Sequence, residues 1–235
     1  MCGRYRLRRF DLLQAAFQAL GDVEFEEFSE LDIPWWNIAP SLQVPILRMN
    51  SSGQPVIAPA KWGFIPSWAK ELPKVRPINA KSETVSSNGM FRRAFRSSRC
   101  LIPADGFYEW QGKKPPKQPY FIHMKDDGVF CFAGLWDRWK PKKDAEPVDT
   151  VTILTTDANE LITPIHNRMP VILARRDYGR WLNPSTPSDE TSAMLKSYPA
   201  DEMDAYPISP KVNNTRNDGP ELVQPATSST GLFDS

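Results

Sequence analysis

The sequence has few of the residues on which metal, disulfide and membrane chemistry depend. Its 235 residues include three cysteines (Cys2, Cys100 and Cys131) and two histidines (His123 and His166), and no two cysteines have CxxC spacing. This odd, scattered set argues against a disulfide framework and against a zinc site, so we expect neither a metal nor a cofactor. The chain lacks an apolar run of the ~18 residues that a membrane helix needs, and its amino terminus lacks the apolar core of a signal peptide. These absences predict a cytoplasmic protein that does not engage a membrane.

Net charge is also small, at +1, so bulk charge does not indicate a nucleic-acid partner. The charge is nevertheless unevenly distributed. Four arginines and no acidic residue lie among the first ten residues, four more arginines lie in 91–99, and segment 22–32 is strongly acidic. Such a basic face could bind phosphates locally, although a solvated charged surface explains the pattern equally well.

What the sequence does contain is a series of short apolar runs separated by turn signals. The runs 44–49 and 55–60 flank Asn-Ser-Ser-Gly and predict a hairpin, and Asp-Asp-Gly at 126–128 predicts a second one. Further strands are predicted at 100–102, 106–110, 120–124, 129–133, 150–155 and 171–173. Helical spacing of apolar residues predicts helices at 11–20, 90–95, 157–162, 176–182 and 189–197.

These elements predict an α+β fold, because hairpins predominate and the helices are short and scattered. We expect a single domain over 1–225 with a largely antiparallel, barrel-like β-sheet and short peripheral helices. Residues 226–235 are small and polar and predict a flexible tail. Nothing in the sequence demands more than a monomer.

Cys2 is the residue with the most distinctive chemistry. Removal of Met1 is favoured when the next residue is small, and it would leave a free α-amine and a thiol on Cys2. Such a 1,2-aminothiol can condense with an aldehyde through the amine and then close a thiazolidine ring through the thiol. The amine titrates near pKa ~7.7–8.0 and the thiol near ~8.5, so both are partly reactive at neutral pH. The alternative is a cysteine that occupies position 2 by chance, since most cysteines are inert packing residues.

Three further segments hold polar side chains in positions that packing alone does not explain. Asn79 opens a polar run at 79–84, Glu109 lies in an aromatic strand, and His166 lies between two prolines. Alternation along the strand puts Glu109 on the face of Phe107, where burial would raise the pKa of the carboxyl and suit it to proton transfer. The alternatives are an exposed strand carboxylate at Glu109 and a core histidine at His166.

Together these segments resemble the SRAP family, the SOS response-associated peptidases that process abasic sites. The resemblance runs from Met1 to near Pro225 and rests on the joint order of several motifs. These motifs are MCGR at 1–4, WNIAP at 36–40, KWGFIPSW at 61–68, the segments around Asn79 and Glu109, HNRMP at 166–170 and VNN at 212–214.

The resemblance implies a protein that senses abasic sites in single-stranded DNA and shields them through a covalent thiazolidine on the mature Cys2. It implies that Glu109 is the acid and base at the sugar and the α-amine, and that His166 assists proton transfer. Asn79 would orient Cys2 or the sugar. Weak lyase activity by β-elimination, a peptidase activity limited to removal of Met1, and association with the nucleoid during DNA damage are further implications.

The DNA contacts that the resemblance implies are of three kinds. Phosphates would be bound by Arg4, Lys81 and Arg168, and more weakly by Thr155. Trp68 and Pro40 would stack on bases or wedge between them, and Asn37 falls within the same DNA-binding motifs. Some relatives have Arg where this chain has Lys81, which keeps the charge but loses the bidentate fork.

Two other functions fit parts of the sequence. N-terminal nucleophile hydrolases of the glutamine amidotransferase type also begin Met-Cys-Gly, and there the Cys2 thiolate would attack an amide with the α-amine as base. A non-catalytic single-strand-binding module would use only the arginines and tryptophans.

Overall fold

A computed structural model describes residues 2–8, 17, 20, 23–25, 35–142 and 144–226. The predicted helix at 11–20 lies almost entirely outside these ranges, and so does the predicted tail after residue 226. Within the described residues the chain is mainly β-structure arranged in two sheets, with short helices between strands. None of the described helices is both long enough and apolar enough to cross a membrane.

The strands of the smaller sheet, in chain order, are β1 (Arg4–Leu7), β3 (Trp35–Ile38), β8 (Gly106–Gln111), β9 (Gln118–Met124) and β14 (Met203–Pro207). Those of the larger sheet are β2 (Glu24–Phe25), β4 (Gln43–Met49), β5 (Pro55–Trp62), β6 (Asn79–Lys81), β7 (Arg99–Ala104), β10 (Phe130–Trp139), β11 (Val148–Asp157), β12 (Arg168–Pro170) and β13 (Ile172–Leu173). The helices are α1 (Arg92–Ser97), α2 (Tyr178–Leu182) and α3 (Ser188–Ala193). Single 3-10 turns occur at Arg175–Asp177, Ala200–Glu202, Pro210–Asn213 and Pro220–Val223.

Five strands of the larger sheet close into a barrel. Their order is β11, β10, β7, β4 and β5, and β5 returns to β11 through a parallel pairing in which Lys61 lies opposite Thr150. The other four pairings of the ring are antiparallel. Closure removes the exposed edges that an open sheet would present. The predicted largely antiparallel, barrel-like sheet is therefore confirmed.

The smaller sheet has the order β14, β9, β8, β1, β3, and it packs on the barrel through aromatic side chains. The ring of Phe132 on β10 meets Tyr5 on β1 at 5.7 Å and Phe107 on β8 at 6.0 Å, both edge to face. Tyr5 also meets Trp62 of β5 at 5.4 Å. Each such pair contributes about 0.5–1.5 kcal/mol beyond area burial, so these contacts hold β1 firmly against the barrel.

Arg99 connects two of the helices to the barrel. Its buried guanidinium donates to the carbonyls of Phe95 and Arg96 in α1, and to those of Trp181 and Asn183 at the end of α2. These are carbonyls that the helices themselves leave without a partner, and a cation there also suits the helix dipole.

Most of the predicted strands are confirmed, and so is the first hairpin, whose Gly53 has φ +78°. The second predicted hairpin is wrong. Strand β9 pairs with β8 and β14 whereas β10 pairs with β7, β11 and β13, so the turn at 126–128 connects the two sheets. The local turn chemistry was identified correctly, but it does not determine the sheet that the next strand joins.

The predicted helix at 157–162 is also wrong, because the chain forms successive turns there. The Asn159 side-chain oxygen accepts the Ile162 N–H at 3.0 Å, and the Thr163 hydroxyl donates to the Asn159 carbonyl at 2.8 Å. Side-chain bonds of this kind compete with a regular helix. The other short helices lie within a few residues of their predicted positions.

Candidate active site at the amino terminus

Cys2 lies at the junction of the two sheets. It lies two residues before β1 and is fully buried, and its carbonyl oxygen accepts a hydrogen bond from Asn79 Nδ2 at 2.9 Å. Asn79 begins β6, which runs parallel to β11 of the barrel. The bond therefore joins a residue just before a strand of the smaller sheet to the larger sheet, and it fixes the start of the chain.

The Cys2 thiol is held in its protonated form. Burial raises its pKa well above the ordinary value, and the negative charge of Glu109 raises it further. The thiol hydrogen is directed to the Arg4 carbonyl, 3.7 Å from Sγ. In this environment the thiolate is disfavoured at neutral pH, and chemistry that begins at the thiolate is disfavoured with it.

Glu109 is buried on β8 with 2 % of its surface exposed. Its neighbour Phe107 belongs to the core cluster that contains Cys2, whereas Tyr108 and Trp110 belong to a separate cluster on the opposite face. Burial raises the pKa of the Glu109 carboxyl, and the electrostatic interaction with His166, where that ring is protonated, opposes the rise. The predicted face, burial and raised pKa of Glu109 are confirmed. The charge interactions also bring Cys2, Glu109 and His166 into one site.

His166 follows the turns at 160–165 and directly precedes the segment that leads into β12. The Arg168 backbone N–H donates to its Nδ1 at 3.0 Å. The Arg168 carbonyl also lies 3.2 Å from Nδ1, but the amide N–H is the fixed donor and so decides the assignment. With Nδ1 as acceptor, the neutral ring carries its proton on Nε2, which becomes a hydrogen-bond donor.

Two buried oxygen atoms at this site have no hydrogen-bond partner among the described residues. One is Asn79 Oδ1, on the side chain that holds Cys2, and the other is the Tyr5 hydroxyl. Tyr5 interacts electrostatically with the Cys2 thiol, and the sequence reasoning did not single it out. An unsatisfied buried polar atom costs about 1–3 kcal/mol, so such atoms are candidates to meet a ligand or the mature amine.

Arg168 is held by two carboxylates that the sequence reasoning missed. Its guanidinium forms a bidentate pair with Glu83, at 2.5 and 2.9 Å, and a further bond to Asp157 at 2.6 Å. It also donates to the Thr155 carbonyl at 2.7 Å. The hydrogen bond from Arg168 holds the pKa of Glu83 below its ordinary value. Glu83 lies in the polar segment 79–84, so the sequence contained a signal for it.

Arg4 and Asn37 hold a segment near the carboxyl end of the described chain. Asn37 Nδ2 donates to the carbonyls of residues 212, 214 and 217, at 2.9 to 3.2 Å. Arg4 donates to Val212 O at 2.7 Å and to Asn37 Oδ1 at 2.9 Å. Asp218 accepts the N–H groups of residues 36 and 37. Both predicted DNA-binding side chains therefore already have partners within the protein.

The remaining predicted DNA contacts occupy different environments. Trp68 is 59 % exposed and Lys81 is exposed at the end of β6, so both can meet a ligand. Pro40 is half-buried in the turn between β3 and β4. Thr155 is fully buried, and its hydroxyl lies 3.5 Å from the Ala80 carbonyl. No group of three metal-binding side chains occurs in the ranges that the structure covers.

Comparison with known proteins identifies the family. The profile of the family described as SOS response associated peptidase (SRAP) matches residues 1–215. The chain belongs to the SRAP family. It is similar to abasic site processing protein YoqW of Bacillus subtilis, with 40% identity over 95% of this chain and 99% of the relative.

A second relative and a solved structure are also similar to this chain. Abasic site processing protein HMCES of Gallus gallus is 33% identical over 82% of this chain and 66% of its own length. A crystal structure of a Bacteroides thetaiotaomicron protein has a TM-score of 0.84 at 29% identity and covers 96% of this chain and 100% of that one. This SRAP chain therefore shares its whole fold with a solved structure.

Proposed function

We propose that this SRAP protein processes abasic sites in single-stranded DNA by covalent capture through the mature Cys2. The convergence of Cys2, Asn79, Glu109 and His166 at the amino terminus supports the proposal most directly. The names of its relatives, abasic site processing proteins, support the same substrate. The crosslink shields the lesion during the DNA damage response.

The reaction begins after Met1 has been removed by hydrolysis, which is the self-processing that the peptidase name describes. The α-amine of Cys2 attacks the aldehyde of the ring-opened abasic sugar, and the carbinolamine loses water to give an imine. The thiol sulfur then adds to the imine carbon while its proton passes to the nitrogen. The products are one thiazolidine and one water. Elimination at the imine stage would break the strand, which gives the lyase side reaction.

Three side chains assist this sequence. Burial raises the pKa of the Glu109 carboxyl and so favours its acid form. As the acid it gives a proton to the sugar ring oxygen while the ring opens, and as the carboxylate it can accept the proton of the thiol. His166 donates from Nε2 to the sugar hydroxyl. Asn79 holds the Cys2 carbonyl through Nδ2 and offers Oδ1 to the amine, so that the amine is oriented before the DNA arrives.

The buried thiol favours this order of events. Because burial and Glu109 both raise the pKa of the Cys2 thiol, attack by the amine precedes attack by sulfur. A glutamine amidotransferase mechanism would need the thiolate first, next to a carboxylate that opposes its formation. The electrostatics of the site thus favour an aldehyde over an amide as the target.

A denaturing gel tests the proposal. The protein is mixed with a single-stranded oligonucleotide whose uracil has been excised, and we expect a heat-stable protein–DNA band. The band should be absent with Cys2→Ala and with protein that retains Met1, and present with Cys131→Ala, the matched loss of a buried thiol. Borohydride should restore a band with Cys2→Ala, because the amine that remains still forms an imine.

The alternatives predict different outcomes. A heat-stable band that persists unchanged in Cys2→Ala without borohydride would sink the thiazolidine. Binding without any covalent band from the wild type would support the non-catalytic module. Glutamine hydrolysis without a crosslink would support the amidotransferase.

A further inference from the structure

Helix α1 presents three arginines whose role the proposed chemistry does not explain. Arg92, Arg93 and Arg96 are all exposed, and none forms a salt bridge within the described part of the chain. Their charges are therefore available to an anion. Arg4 and Arg168 differ, because their guanidinium groups are bonded to acceptors inside the protein.

The loop 66–77 lies beside this helix and is unusually apolar at its surface. Three of the four exposed large apolar side chains in the described ranges belong to it, namely Trp68 (59 %), Leu72 (56 %) and Val75 (74 %). Arg93 Nη1 donates to the hydroxyl of Ser67 at 2.7 Å, which ties the helix to the residue before Trp68. We call Trp68, Arg92, Arg93 and Arg96 the Trp–Arg surface.

The Trp–Arg surface is joined to the active site by short, well-bonded segments. The Trp62 indole donates to the Ile78 carbonyl at 2.9 Å, which anchors the start of the loop beside Asn79. Overlapping turns lead from β6 to α1: Thr84 N bonds to Lys81 O, Asn88 N to Thr84 O, and Arg92 N to Asn88 O. At about 1.5–2.0 Å of rise per residue, the eleven residues from Lys81 to Arg92 span roughly 16–22 Å.

The charge of this region favours a phosphate chain as its ligand. The loop 66–77 and helix α1 together contain six exposed or half-exposed cations, and Glu71 is their sole carboxylate. An exposed indole among arginines is the combination that binds single strands without regard to sequence, because bases stack on the ring while cations follow the phosphates. A protein partner would not require this excess of positive charge.

We propose that the Trp–Arg surface binds the single strand that continues past the abasic nucleotide, with Arg92 and Arg96 contacting successive phosphates. This inference rests on the proposed function and extends it, because it makes recognition depend on undamaged DNA beside the lesion. The abasic nucleotide would then be bound covalently at Cys2, and binding of the neighbouring nucleotides would position it there.

The test measures how affinity grows with oligonucleotide length. A stable abasic analogue is placed in strands of about 4 and about 16 nucleotides, and binding is measured at several salt concentrations. We expect Arg92→Gln combined with Arg96→Gln to lose about tenfold in affinity for the long strand alone. Its slope of log affinity against log salt should fall by about 1.4, because each lost phosphate contact removes about 0.7.

The matched control is Arg176→Gln combined with Lys196→Gln, which removes two exposed cations from other elements. An equal loss in this control would make the effect one of net charge and overturn the inference. An equal loss on short and long strands would place the arginines at the lesion and also overturn it. The inference would also be overturned if affinity increased with strand length only when the flank is annealed to a complementary strand, because the ligand would then be a duplex.

The two proposals fail separately. Absence of a heat-stable band from the wild type with a reactive abasic strand would refute the proposed function. Binding of the unreactive analogue would still show whether affinity grows with length through Arg92 and Arg96. A normal crosslink together with unchanged length dependence in the double variant would refute the inference alone.

Discussion

Replacing Glu109 by Gln removes a proton donor while preserving the shape of the side chain. A carboxyl at its ordinary pKa of 4.5 would be about 0.3 % protonated at pH 7. Each rise of its pKa by one unit increases the protonated fraction about tenfold. Burial therefore increases the fraction of the acid form at pH 7. Since positioned acid–base groups contribute about 10²–10⁴-fold, we expect crosslinking by Glu109→Gln to slow by at least ~100-fold.

The same substitution should make the protein more stable at neutral pH. A carboxyl whose pKa is raised in the folded state stabilises that state fully below pH 4.5, and this contribution is lost as pH rises towards the raised pKa. Gln does not titrate, so it does not incur this loss. At pH 7 the free energy of unfolding of Glu109→Gln should therefore exceed that of the wild type by about 1.4 kcal/mol for each pKa unit by which folding raises the pKa of Glu109. The gain should vanish below about pH 4.

The assays are single-turnover crosslinking at saturating DNA, affinity for an unreactive abasic strand, and thermal unfolding at pH 4 and pH 7. The wild-type rate should fall as pH rises through the raised pKa, and the variant should lack that pH dependence. Glu160→Gln, an exposed carboxylate on the turns before His166, serves as the control. An unchanged rate in Glu109→Gln, or equal losses of rate and affinity, would refute the assigned role.

Two further predictions concern the fold around the site. Arg99→Lys should lower the free energy of unfolding by about 2–3 kcal/mol in chemical denaturation, because one ammonium cannot serve the carbonyls of both helices, whereas exposed Arg96→Lys should change it little. Asn37→Ala should release the segment around 212–217, seen as faster proteolysis there, because three carbonyls lose their donor. If cleavage is no faster than with Asn50→Ala, a turn substitution elsewhere, the segment is held by other contacts.

The sequence predicted those parts of the fold that local patterns specify. Alternation identified most strands and put Glu109 on the buried face with Phe107, since that property depends only on the strand itself. The closure of β5 on β11 and the assignment of β9 and β10 to different sheets depend on pairings between distant segments. No local turn signal carries that information.

Family resemblance predicted the residues of the site one by one. It did not predict which arginines are already bonded to acceptors within the protein. Arg168 meets Glu83 across 85 positions of sequence, and Arg4 meets Val212 across 208. Contacts at such separations leave no periodic signal in one sequence. Arg92, Arg93 and Arg96 of α1, by contrast, form no salt bridge among the described residues, and the sequence showed them only as a run of charge.

The position of β1 has a mechanical consequence for the adduct that we propose at Cys2. Strand β1 is bonded on one side to β3 and on the other to β8, so it is an interior strand although it begins two residues after Cys2. A load applied to DNA attached at Cys2 would act along this strand and would have to shear two ladders at once. Chain ends are usually poorly ordered, but this one is tied into a sheet and would transmit the load to the centre of that sheet. The proposed point of DNA attachment would therefore be a rigid anchor.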